Sequence, residues 1–119
     1  GHSIFYGADS GYYDGFKEIG ERLGPFDLTL LEIGAYNDDW ISIHMGPEAA
    51  VQAHLDLQGS VLMPIHWGTF NLAFHPWKEP VVRVQREAAI KNVPLLLPAP
   101  GEIVSVRENY NSRWWEPYE

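Results

Sequence analysis

The sequence has no cysteine, which excludes a disulfide framework and any thiolate metal site, so a bound metal has to be held by His, Asp or Glu. Basic residues are scarce, with eight Lys and Arg against sixteen Asp and Glu. The imbalance sits in the first half, where residues 1–60 hold ten acids and two bases, while residues 61–119 hold six of each. Such a surface disfavours a nucleic-acid partner, because phosphate binding replaces counterions with Lys and Arg. It suits a cation. A membrane span is also missing: residues 57–77 carry no formal charge, but polar and proline positions interrupt them and only residues 61–65 are continuously apolar, far short of about 20 residues. No GxGxxG, Walker loop, nucleophile elbow or His-Glu-x-x-His occurs, and no serine has a matching His and Asp arrangement. No internal repeat, low-complexity linker or signal peptide is visible. The chain opens almost directly into a strand, which places the expected natural start further upstream. The expected location is cytoplasmic, with membrane association left open.

What is present is the composition of a soluble globular domain, 119 residues with 45% hydrophobic and 20% charged, enough for one core. Residues 3–7 carry Ile4, Phe5 and Tyr6 and predict a strand ending at Asp9. Phe16, Ile19 and Leu23 then form one apolar helical stripe, ended by Gly24-Pro25. Residues 27–33 predict a buried strand through Leu28, Leu30, Leu31 and Ile33, followed by an irregular stretch to about Gly46. Pro47 suits a first helical turn, and Ala50, Val51, His54 and Leu55 give that helix a face to about Leu57. Residues 61–65 predict a third strand, residues 66–76 a loop, and residues 80–92 a third helix with Val81, Val84 and Ala88 inward. Short strands are expected at 95–97 and 103–106, and residues 109–119 read as a tail whose Trp114 and Trp115 pack on something. The order β-α-β-α-β-α-β-β implies an α/β sheet with helices against it.

In such sheets functional groups gather beyond the carboxyl ends of strands, and Asp9 and His66 both stand there. Taken singly, Asp9 is more ordinarily a turn or helix-cap aspartate, and His66 a hydrogen-bonded core histidine. His44 sits in the long loop before the second helix, where an exposed histidine is the commoner case. His75 reads as a surface residue and His54 as packing. Trp67, Phe70, Phe74 and Trp77 are either a lipid-accessible groove or aromatic core at a loop base.

The ordered series Gly7-Ala8-Asp9-Ser10-Gly11-Tyr12, residues 16–27, Ile33-Gly34-Ala35-Tyr36, His44 before Pro47-Glu48-Ala49-Ala50, and Ile65-His66-Trp67-Gly68-Thr69-Phe70 resembles the C-terminal half of a metallo-β-lactamase superfamily hydrolase. The branch it resembles is the N-acyl-phosphatidylethanolamine phospholipase D-like one, with its RomA-like members. The match covers about residues 4–80. Its implied fold is the C-terminal half of an αββα sandwich, one domain over residues 1–119 that is a fragment of a larger protein. The resemblance implies Asp9 as a bridge between two zinc ions, His66 as a ligand to one of them, and His44 near substrate phosphate. The family's His-x-His-x-Asp-His motif is absent, so the remaining metal ligands are expected in a preceding half. By implication the whole protein is a zinc-dependent hydrolase, a phosphodiesterase acting on a phosphoester or lipid-like substrate. This chain alone would be inactive, binding metal weakly and associating with itself, as a homodimer, through an uncovered edge. Two other readings stay open: a lactonase or amidase on the same metal site, and a non-enzymatic interaction module.

Overall fold

The computed structural model describes residues 1–118. Strands β1 (Ile4–Tyr6), β2 (Phe26–Glu32) and β3 (Gly59–Ile65) form a parallel sheet in the order β1-β2-β3. The crossovers that parallel pairing requires are helix α1 (Gly15–Leu23) and helix α2 (Pro47–Asp56). Helix α3 (Glu79–Lys91) follows, and β4 (Leu96–Leu97) pairs in parallel with β5 (Tyr110–Asn111). A single bridge between Leu62 and Leu95 continues the main sheet toward β4. The expected element order therefore holds.

One large cluster joins the sheet to the helices through Phe16, Leu31, Ile33, Val51, Leu62 and Val84. A smaller one lies around Leu28, Val61 and Leu96. Strand β2 is thus buried in the middle, as its apolar run demands. Val81, Val84 and Ala88 of α3 are buried as expected, and Asn92 ends that helix in the left-handed region at φ 55, a conformation Asn tolerates.

Several expectations change. β1 stops at Tyr6, because Ala8 turns left-handed at φ 48 and ends the extended run before Asp9. Leu23 is exposed, and α1 buries Phe16 and Gly20 instead. The cause is a close backbone approach: a Cβ on Gly20 would lie 2.1 Å from Asp56 O, so α1 turns its smallest residue toward the end of α2. On α2, Ala53 replaces Leu55 in the buried face. Residues 103–106 form no strand and Ile103 is almost fully exposed. β4 instead pairs with Tyr110–Asn111, where Tyr110 N–H donates to Leu95 O at 2.9 Å. The expected tail instead carries β5 and buries Trp115, 2% exposed against Trp67, while residues 116–118 are exposed; Glu119 lies outside the described residues.

Candidate metal centre

Parallel strands put their carboxyl ends on one edge, so the chain leaves β1, β2 and β3 on the same side. After β1, Gly7 N–H still reaches Leu30 O at 2.8 Å. Ala8 then reverses the chain and delivers Asp9, whose side chain is 69% exposed. After β3, His66 itself takes a left-handed conformation at φ 58, which costs an L-residue about 1–2 kcal/mol. Gly34, two residues beyond β2, makes room for that turn, since a Cβ there would lie 2.2 Å from His66 O. Trp67 holds the turn from behind, donating its indole N–H to Pro64 O at 3.1 Å and packing on Trp114 and Trp115. In the long loop, a short 3-10 turn at Asp38–Trp40 is capped by Asn37, and Trp40 donates its indole N–H to Ala35 O at 2.7 Å. His44 N–H then donates to Trp40 O at 3.1 Å.

Asp9, His44 and His66 therefore meet. His66 Nε2 lies 3.6 Å from Asp9 Oδ1, and the rings of His44 and His66 are 5.7 Å apart, centre to centre. At their centre sits a residue that the pattern of leucines concealed. Glu32, the last residue of β2, is fully buried. Its Oε1 accepts Ser10 N–H at 2.5 Å, and its Oε2 accepts from Nδ1 of His44 at 2.8 Å and from Nδ1 of His66 at 2.9 Å. The available signal was a glutamate set between Leu31 and Ile33 at the end of an apolar run, because a charge is buried only when paired.

Taken as donors, Glu32, His44 and His66 each offer an atom within 4.8 Å of the others, a set able to hold a cation. The Glu32 distances are those of N–H···O bonds, so the carboxylate as placed binds protons on the imidazoles. The pair facing outward is Asp9 Oδ1 and His66 Nε2. Two donors on one tetrahedral zinc, at bonds of about 2.0–2.1 Å, stand roughly 3.3 Å apart, so a separation of 3.6 Å fits a shared ion after small movement. Oxygen and imidazole nitrogen are donors that zinc accepts.

The other histidines stand elsewhere. His54 is buried in the core against Thr29 Oγ1 at 2.7 Å, and burial pushes its pKa down to about 4. His75 is half-buried and stacks on Tyr36 at 4.1 Å. Of the four aromatics after β3, Phe70 and Phe74 are exposed, while Trp67 and Trp77 pack against the core. Two mainly apolar clefts flank the centre. One, of about 330 Å³, runs from His66 between Pro64, Leu97, Pro98 and Trp114; the other, of about 360 Å³, runs from His44 between Ala35, Trp40, Ile43 and Leu72.

Residues 1–67 match a family described as a beta-lactamase superfamily domain. An uncharacterized protein of Mycobacterium tuberculosis is 53% identical over 106 residues, covering 87% of this chain and 28% of that protein. The N-acyl-phosphatidylethanolamine-hydrolyzing phospholipase D 1 of Caenorhabditis elegans is 44% identical over 72 residues, 58% of this chain and 20% of its own length. Among solved structures, a metallo hydrolase of the archaeon Ignicoccus hospitalis superposes with a TM-score of 0.59 at 25% identity, covering 81% of this chain and 37% of that one. The chain thus spans little more than a quarter of its mycobacterial relative.

Proposed function

This chain belongs to the beta-lactamase superfamily, with the α/β fold of its metallo-hydrolase structural relatives, and on that footing we propose that it supplies one side of a zinc site in a phosphodiester hydrolase. The single observation that carries the reading is the approach of Asp9 Oδ1 and His66 Nε2 to 3.6 Å at the shared edge of the parallel strands. Asp9 and His66 would hold the metal through Oδ1 and Nε2. Catalytic zinc takes about three protein ligands and keeps one position open, so further donors come from a preceding part of the protein. When bound, the metal supplies Lewis-acid polarisation and a water that is nucleophilic near neutral pH.

This chain's own residues do the rest. Asp9 sits on an exposed turn, where its second oxygen stays accessible. His66 is held by Glu32 at Nδ1, which leaves the Nε2 lone pair outward. His44 shares the same carboxylate oxygen and faces a phosphoryl group with its other nitrogen, to take up a proton there or, once charged, to donate to an oxygen. The two apolar-lined clefts beside these histidines suit an ester carrying apolar groups, in keeping with the lipid hydrolysed by the nematode relative.

Metal analysis and turnover of the full-length protein test this. Near-stoichiometric zinc is expected, with hydrolysis of a chromogenic phosphodiester ahead of a lactone or an amide, and Asp9→Asn is expected to remove most turnover. Wild-type turnover by Asp9→Asn at full metal occupancy would show that Asp9 has another role. A protein that takes up no zinc would instead be an interaction module. The isolated chain is expected to show weak metal binding and no turnover.

A further inference from the structure

We propose that Glu32 is the positioning residue of this centre, one buried carboxylate that sets the ring orientation and the tautomer of both His44 and His66 while anchoring the turn that carries Asp9. Packing gives no reason for a charge at this place. Its neighbours in the chain are Leu31 and Ile33, both fully buried, and an apolar residue there would avoid the cost of taking a charge out of water. The carboxylate is retained amid hydrogen bonds from three separate loops: Ser10 N–H after β1, His44 Nδ1 after β2 and His66 Nδ1 after β3. Those are the segments that bear the three candidate side chains.

Chemistry then fixes the rings. A carboxylate only accepts, so each imidazole has to present N–H at Nδ1. In the neutral ring Nε2 is thereby left with its lone pair. For His66 this is the nitrogen 3.6 Å from Asp9 Oδ1. The same contact offsets the left-handed strain at His66, where φ is 58. A carboxylate behind a ligating histidine is a recurrent way to fix tautomer and orientation, and losing it typically costs about 10–100-fold in metal affinity.

An amide in place of the carboxyl is the discriminating change, because all three partners of Glu32 are donors. In Glu32→Gln one terminal atom becomes NH₂ and has to face either Ser10 N–H or the two imidazoles, and the second arrangement drives a ring to the Nε2–H tautomer. The metal part of this inference rests on the function proposed above; the tautomer part does not. Nitrogen-15 NMR of the histidine rings in the metal-free full-length protein reads the tautomer directly, and competition with a chromophoric chelator reads zinc affinity.

The expected result is protonated Nδ1 on His44 and His66 in the wild type. Glu32→Gln should weaken zinc binding by about 10–100-fold and, where its amide nitrogen faces the rings, move at least one proton to Nε2. Glu32→Asp, which keeps an acceptor-only group, should retain the Nδ1–H form. A proton on Nε2 but not Nδ1 of either ring in the wild type overturns the inference, and this needs no variant to fold. A folded Glu32→Gln protein with wild-type tautomers and zinc affinity overturns it equally. Expected tautomers in a protein without affinity for zinc would sink the metal function and leave the hold of Glu32 on both rings standing.

Discussion

Glu32 and His54 are both buried polar side chains, and they are satisfied in different ways. Glu32 collects three donors from three loops, whereas His54 has a hydroxyl partner in Thr29 and stays neutral, burial having lowered its pKa to about 4. The sign of the pH effect follows. Above about pH 6.5 the ring is neutral in both folded and unfolded chains and exerts no pH-dependent effect. As pH falls from 6.5 towards 4, the unfolded chain takes up a proton that the folded chain refuses, so stability declines across that window by about 3 kcal/mol in total. Urea denaturation at pH 7 and pH 4 should show wild type losing about that much more than His54→Gln, which cannot titrate. An equal loss in the two proteins would place the charged ring in solvent. The places of Asp9 and His66 just beyond strand ends were legible in local pattern, whereas the resemblance, and not that pattern, singled them out as candidate ligands. Glu32 was not, since its role depends on loops contributed by residues 10, 44 and 66.

Helices α2 and α3 are clasped at one end by Glu48, in the first turn of α2, and Arg83 of α3. Arg83 Nε donates to Glu48 Oε1 at 3.0 Å and Nη2 to Oε2 at 2.6 Å, and the guanidinium stands 4.7 Å over the Tyr36 ring. The Arg83 hydrogen bonds hold the Glu48 carboxyl below its usual range. Both side chains are about a third exposed, so solvent screens the pair. A double-mutant cycle of Glu48→Gln and Arg83→Gln is expected to give a coupling of about 1 kcal/mol, and a coupling of zero would make the bidentate geometry incidental. At this scale the helical stripes were legible in outline, because period 3.6 is local. Leu23 and Leu55 were misplaced because the rotation of each helix is set by what it meets, as at Gly20 against Asp56. Residues 103–106 have strand-forming side chains, yet β4 took Tyr110 as its partner, helped by Asn109 Oδ1 accepting Leu95 N–H at 3.2 Å.

Among its described residues the chain leaves one side of its sheet open. Among the described residues β1 pairs only with β2, and Ile4 and Tyr6 on it are 53% and 67% exposed. Parallel sheets are ordinarily covered on both faces, and a bare apolar edge invites another chain. We therefore propose that the preceding part of the protein covers this side in the whole molecule, and that the isolated chain covers it with a second copy. Light scattering of the isolated chain is expected to give a dimer, and a monodisperse monomer at high concentration would count against the exposed edge as an association surface. The described residues contain no helix long and apolar enough to cross a membrane.

The sequence by itself determined the order of helices and strands, the strand ends where chemistry could sit, and the residue types able to hold a cation there. Those are properties of short windows: apolar period, turn-forming glycine and proline, and donor chemistry. Tertiary structure alone decided how closely His44 and His66, two of five histidines, approach each other, that a glutamate at the end of a leucine-rich strand joins them, and that the final segment packs behind His66. Each of those depends on residues more than ten positions apart arriving together, and no local pattern encodes that convergence.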